Sequence, residues 1–178
     1  MKKPIEEYVR SIVDFPEPGI IFRDVTSVLQ DADGFHLAID LMQEKLEGLE
    51  FDVIAGAESR GFIFGAPLAM MLGAGFVMIR KPNKLPADII SESYELEYGT
   101  DTICMHADAI EEGSRVVVID DLLATGGTAC AACNLVKKAG GVVDSAAFVI
   151  ELTPLKGAEK IKEKSGVDVV SMLKYDID

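Results

Sequence analysis

Apolar positions along this chain switch repeatedly between the period of a strand and the period of a helix. Phe35, Ala38, Ile39, Met42 and Leu46 recur at three- and four-residue spacing, which predicts an amphipathic helix over 34–47, with Asp33 as its cap and Gly48 as its stop. Ile5, Val9, Ile12 and Val13 give a helical spacing over 3–13, ended by Phe15-Pro16-Glu17-Pro18-Gly19. Phe51 to Ala55 reads as a buried strand. It runs into a turn at 56–61, a third helix reaching Leu72 with Pro67 inside it, and a strand over 75–80. Met70, Met71 and Met78 are expected to fill the core. Arg115 to Asp120 is apolar without alternation, the mark of a central parallel strand covered on both faces. A helix over 128–139 follows, stopped by Gly140-Gly141, with Lys137 and Lys138 suited to its C-terminal dipole. A strand over 142–150, a helix capped by Thr153 and started by Pro154, and a strand near 167–173 complete the chain. The 81–101 stretch has little periodicity and reads as a long loop, with a short hairpin near 94–104. Strands alternating with helices predict an α/β fold with a mostly parallel sheet flanked by helices.

Composition narrows the class. A length of 178 residues, 49 % apolar and 26 % charged, suits one globular domain spanning 1–178. A net charge of −13 argues against nucleic acid or an anionic membrane as partner, since both demand a basic face. It leaves room for a phosphorylated substrate held by local cations such as Arg60, Arg80, Lys81 and Lys84 together with a metal ion. Cys104, Cys130 and Cys133 fit packed thiols in a reducing compartment better than a disulfide framework, so a soluble cytoplasmic protein is expected. No apolar run is long enough to span a bilayer, and the N-terminus has no apolar signal core. His36 and His106 have no partner spacing and receive no role.

The chemistry concentrates in Val116 to Thr128, where a buried strand delivers Asp120 and Asp121 to its carboxyl end. The turn Ala124-Thr125-Gly126-Gly127-Thr128 follows and a helix starts at once. Ligands of open α/β sheets bind beyond the carboxyl ends of strands. Glycines let backbone amides approach an anion, the helix N-terminus attracts it, and the Thr125 and Thr128 hydroxyls add donors. Carboxylates do not suit phosphate; they suit hydroxyls or a metal ion. The implied ligand carries a phosphate at one end and a diol beside it, as ribose 5-phosphate does. A surface turn with two solvated aspartates is the plainer alternative, and the full strand–acid–acid–turn–helix order weighs against it. GxxxxGK[ST] and GxGxxG are both absent.

This segment resembles the phosphoribosyl diphosphate (PRPP) motif of type I phosphoribosyltransferases. Four further segments are similar, in order, to the adenine phosphoribosyltransferase family. They are Phe15-Pro16-x-Pro18-Gly19-Ile20-x-Phe22-Arg23-Asp24, Glu58-Ser59-Arg60-Gly61-Phe62, Arg80-Lys81-Pro82-x-Lys84-Leu85-Pro86 and Tyr94-x-Leu96-Glu97-Tyr98-Gly99. The resemblance covers residues from about 8 to the end. It implies a type I phosphoribosyltransferase-like sheet with a small N-terminal hood (about 1–33) and a flexible lid (about 81–101). It also implies conversion of adenine and PRPP to AMP and pyrophosphate in purine salvage, with Mg²⁺ carried by PRPP rather than held directly by the protein, and a homodimer.

By the same resemblance, residues 124–128 hold the 5-phosphate, Asp120 and Asp121 face the ribose hydroxyls, and a carboxylate supports the oxocarbenium-like charge. Glu58, Ser59 and Arg60 form a diphosphate turn, often with a non-proline cis peptide, and Arg60 joins the catalytic set. Arg80, Lys81 and Lys84 are cations for the diphosphate. Phe22 stacks on adenine while backbone groups of Ile21 and Arg23 read its edge. Tyr98 and Glu97 lie in the lid, with Glu97 the candidate acid/base. The run Ala87-Asp88-Ile89-Ile90 departs from the familiar pattern by placing an acid in the lid. A PRPP-sensing regulator without catalysis, and a transferase for another base, stand as competing readings.

Overall fold

The structure is a computed structural model, described for residues 3–96 and 98–176. In chain order its elements are β1 (Arg10–Val13), β2 (Ile21–Asp24), α1 (Thr26–Gln30), α2 (Ala32–Leu46), β3 (Val53–Ala57), α3 (Arg60–Leu72) and β4 (Gly75–Ile79). They continue with β5 (Ile89–Glu95), β6 (Thr100–His106), β7 (Arg115–Leu123), α4 (Gly127–Lys138), β8 (Val142–Leu152), α5 (Gly157–Ser165) and β9 (Asp168–Tyr175). Five strands form one sheet in the order β4-β3-β7-β8-β9, all parallel. The apolar run of β7 is its central strand, as the lack of alternation required. Successive side chains point to opposite faces. Val116 and Val118 pack with Leu135, Val136 and Ile161 under α4 and α5. Val117 and Ile119 pack with Met42, Phe64 and Leu68 under α2 and α3.

Several expectations need correction. The 3–13 segment is not one helix: Ile5–Tyr8 forms a single 3₁₀ turn, and Arg10–Val13 pairs antiparallel with β2, from Arg10 opposite Asp24 to Val13 opposite Ile21. The β-branched Ile12 and Val13 favour extended backbone once a partner strand is present, and pairing overrode a weak helical spacing. The 81–101 stretch is not mainly loop. β5 and β6 pair from Ile89 opposite His106 to Glu95 opposite Thr100, so the hairpin begins well before 94. Its polar residues on both faces hid the period.

The cap of α2 is Asp31, whose Oδ1 accepts from the Asp33 and Gly34 amides at 2.9 and 3.0 Å; Asp33 lies in the first turn. Thr153 does not cap a helix. Thr153–Leu155 is a lone 3₁₀ turn, Lys156 takes a left-handed conformation, and α5 begins at Gly157. Met70, Met71 and Met78 are not core: they are 80 %, 49 % and 43 % exposed, because α3 spends its buried face on Phe64, Leu68 and Ala69 and β4 is an edge strand. All three cysteines are free and buried, and burial beside Cys130 pushes the Cys133 thiol up to about 12. His36 is exposed on α2, and His106 ends β6 with Nε2 2.7 Å from the Pro86 carbonyl.

Candidate active site

Parallel strands end at the same edge, so the turns after β3, β4 and β7 converge. β3 delivers Glu58, Ser59 and Arg60, β4 delivers Arg80 and Lys81, and β7 carries Asp120 and Asp121 near its end. The two-residue period of β7 sends the acids to opposite faces. Asp120 shares the face of Val116 and Val118, toward α4. Asp121 shares the face of Val117 and Ile119, toward the N-terminal hairpin. The cavities follow this division. Asp120 lines one of about 100 Å³ with residues 124–128 and Phe148. Asp121 lines one of about 330 Å³ with Phe15, Phe22, Arg23, Asp24 and Arg60. Leu122 lines both, so the acid pair stands where they adjoin.

Asp121 is 6 % exposed and is paired with the Arg60 guanidinium, whose Nε donates to Oδ2. That bond holds Arg60 above its ordinary pKa. Among the described residues Asp120 has no ion pair, and it accepts the Asp121 amide at 2.8 Å. Burial first, and the neighbouring Asp121 charge second, push its carboxyl well above the ordinary range. One strand end thus offers a charge-paired carboxylate and a carboxyl that resists ionising.

The turn after β7 leads directly into a helix N-terminus. Gly126 has φ +82°, a conformation glycine adopts without penalty, and it precedes α4 without a side-chain cap. The first amides of α4 therefore remain available at the positive end of the helix dipole. Thr128 Oγ1 donates to the Tyr94 hydroxyl at 3.1 Å, and Tyr94 donates to Asp101 at 3.1 Å. Asp101 also accepts from Lys81 Nζ, and this bond holds the Asp101 carboxyl below its ordinary range. The hairpin is thereby tied to both the turn and the β4 exit.

The β3 and β4 exits meet through Glu58. It accepts Arg80 Nε at 3.0 Å and the Lys81 amide at 2.6 Å. Burial acts to raise its pKa, but these donors and the nearby Lys84 outweigh it and hold the carboxylate low. The Glu58–Ser59 peptide is cis, as the resemblance implied. Phe22 meets Phe15 edge-on at 5.4 Å, and Arg23 stacks on Tyr175 at 4.2 Å while Nη1 donates to Ser11 at 2.5 Å. Ile21 lines a separate cavity with Tyr175 and is not among the residues lining the Phe22 cavity. Tyr98 is exposed at the hairpin tip, and Glu97 lies outside the described residues. Among the described residues, no group of three or more His, Cys, Asp or Glu could hold a metal ion.

The phosphoribosyl transferase domain family matches residues 24–177. An adenine phosphoribosyltransferase of Butyrivibrio fibrisolvens is 61 % identical over 160 residues, covering 90 % of this chain and 89 % of that protein. The chain belongs to the adenine phosphoribosyltransferase family. The crystal structure of adenine phosphoribosyltransferase from Thermoanaerobacter pseudethanolicus superposes with a TM-score of 0.90 at 53 % identity, covering 96 % of this chain and 98 % of that one. The Saccharomyces cerevisiae enzyme complexed with an imino-altritol bisphosphate and adenine gives a TM-score of 0.86 at 37 % identity, covering 95 % and 96 %. Two residues beside this site, Asp24 and Tyr94, stood in the quoted segments but received no role from the sequence. Asp24 lines the larger cavity, and the Thr26 hydroxyl holds its carboxyl below the ordinary range against the opposing effect of burial. Tyr94 was visible only as part of a motif; its bond to Thr128 spans 34 positions and leaves no local signal.

Proposed function

We propose that this chain transfers the phosphoribosyl group of PRPP to adenine, forming AMP and pyrophosphate, in purine salvage. The observation that carries the reading is the order of spaces along the sheet edge. An aromatic-walled cavity adjoins an acid pair, and the acid pair adjoins an amide-lined turn. Base, ribose and 5-phosphate of a nucleotide follow the same order. Relatives at 61 % and 53 % identity carrying the same enzyme name support it.

In this reading the chain is one domain, with a hood over about 1–33 and a lid over about 81–101. Phe22 stacks on adenine, and the Ile21 and Arg23 backbone read its edge, rejecting a 6-oxo purine by mismatched donors and acceptors. Residues 124–128 hold the 5-phosphate with main-chain N–H groups and hydroxyls. Asp120 and Asp121 accept from the ribose hydroxyls. As the bond from ribose to pyrophosphate stretches, the Asp121 carboxylate and the carboxyl oxygen dipole of Asp120 favour the positive charge growing on the sugar. Glu58, Ser59 and Arg60 with Arg80, Lys81 and Lys84 receive the departing pyrophosphate. Tyr98 closes over the site with the lid, and Glu97 exchanges a proton with the purine ring.

Mg²⁺ belongs to the substrate here. The acids at this edge are spread over two cavities and partly engaged by Arg60 and Arg80, which suits an ion arriving with phosphate and water ligands rather than a resident one. The exposed Ile63, Met70, Met71 and Met78 supply an apolar face consistent with a homodimer, and free thiols are consistent with the cytoplasm.

The test is base specificity. Purified protein with PRPP and Mg²⁺ is assayed with adenine, hypoxanthine, guanine and xanthine. AMP formation with adenine at least about 100-fold favoured in kcat/KM is the expected result. Preference for a 6-oxo purine removes the adenine assignment, and no turnover with any base removes transfer altogether.

A further inference from the structure

We propose that Lys160, on α5, contacts the 5-phosphate and is its main counter-charge. The proposal rests on the reading of residues 124–128 as the phosphate cradle and adds to it a residue from an element outside the motif.

The cradle has a charge problem. Residues 124–128 carry no ionisable side chain, and the acid pair precedes them directly. A phosphate monoester brings nearly two negative charges. Three cations near this edge are paired elsewhere, Arg60 to Asp121, Arg80 to Glu58 and Lys81 to Asp101, and Lys84 lies beside Glu58. Lys160 differs. Its Nζ lies 3.9 Å from the point a Cβ on Gly127 would occupy, beside the first residue of α4. Among the described residues that ammonium has no ion pair or hydrogen bond. It stands at the rim of the cavity, not among the lining residues, where a flexible four-carbon stem brings it to a phosphoryl oxygen.

The fold fixes where Lys160 stands. Gly157 is buried, and a Cβ there would lie 2.3 Å from the Ala124 carbonyl oxygen and 2.8 Å from Leu123 Cδ1. A Cβ on Gly126 would meet the Gly157 carbonyl oxygen at 2.8 Å. Two glycines let the start of α5 press main chain against main chain on the cradle. Lys160 follows Gly157 by three residues, which returns it to about the same side of the helix one turn on. Its amide is held within α5 by the Lys156 carbonyl at 3.1 Å.

The discriminating probe is the phosphate itself. Affinities of AMP and adenosine are measured calorimetrically for the full chain and for Lys160→Met, Lys160→Arg and Lys164→Met. The last removes an exposed charge one turn further along α5. Thermal unfolding of each variant confirms folding. Loss of a charge-assisted contact predicts that Lys160→Met binds AMP about 10- to 100-fold more weakly while adenosine changes less than about twofold. Lys160→Arg restores most of the loss, and Lys164→Met behaves as the parent. AMP affinity within about twofold of the parent in Lys160→Met overturns the proposal, as does an equal loss for adenosine. A parent protein that does not distinguish AMP from adenosine contradicts the cradle itself, which separates failure of the site reading from failure of Lys160.

Discussion

Replacing Gly127 by alanine separates binding from stability at the first residue of α4. A Cβ at this position meets nothing closer than 3.7 Å, from the Tyr94 ring, with the Glu95 carbonyl and Lys160 Nζ at 3.9 Å. Those are ordinary contacts, and the residue has no positive φ. The folded chain therefore accepts the methyl group. Removing glycine from the unfolded ensemble stabilises by about 0.4–1 kcal/mol where the native backbone allows it. Phosphate approach is a different matter, because an oxygen close to the amides competes with the new methyl. Loss of one charge-assisted amide contact is worth about 1.5–3 kcal/mol, or roughly 10- to 100-fold in affinity. Gly127→Ala is thus expected to unfold at or slightly above the parent denaturant midpoint while its Kd for AMP and KM for PRPP rise by that factor. Gly126→Ala is the contrast, since φ +82° and a 2.8 Å approach to the Gly157 carbonyl cost the fold itself about 1–3 kcal/mol. Unchanged AMP affinity in a folded Gly127→Ala protein refutes close approach of the phosphate to these amides.

Two further outcomes follow from the acids. Asp120 has a raised folded pKa, so its contribution to stability is fully present below the unfolded value and is lost as pH rises through the folded one. Asp120→Asn keeps an acceptor for the Asp121 amide and removes that loss. Its melting temperature should exceed the parent's at pH 7.5, with the gap closing toward pH 4, while kcat/KM for PRPP falls by at least about 100-fold. Glu58 has the opposite sign: its folded pKa is lowered, so its stabilisation is present above the unfolded carboxylate value and disappears as pH falls through the folded one. Urea unfolding of Glu58→Gln should show a loss of about 1–3 kcal/mol at pH 7 that vanishes in acid; a loss independent of pH contradicts the Glu58–Arg80 account.

The parallel sheet was legible because a fully buried strand has a blunt signature, and Arg115 to Asp120 carries it without a polar break. The strand–turn–helix geometry at 115–138 was legible for a related reason: strand, acids, glycines and helix are contiguous, so local chemistry encodes it. Residues 10–13 and 89–95 were misread because their strands are exposed and short of apolar alternation, and their partners lie elsewhere in the chain. The opposed directions of Asp120 and Asp121 were not read from the sequence, although the two-residue period of a strand implies them, and the pairing of Asp121 with Arg60 spans 61 positions and had no local trace. Lys160 was invisible for the same cause: it reaches Gly127 only because Gly157 allows two backbones to touch.

A crystal structure with AMP bound tests all of this at once. The account predicts the 5-phosphate on the main-chain amides at the start of α4, ribose hydroxyls on Asp120 and Asp121, and the purine against Phe22. A phosphate resting anywhere else, with those amides left to water, contradicts it.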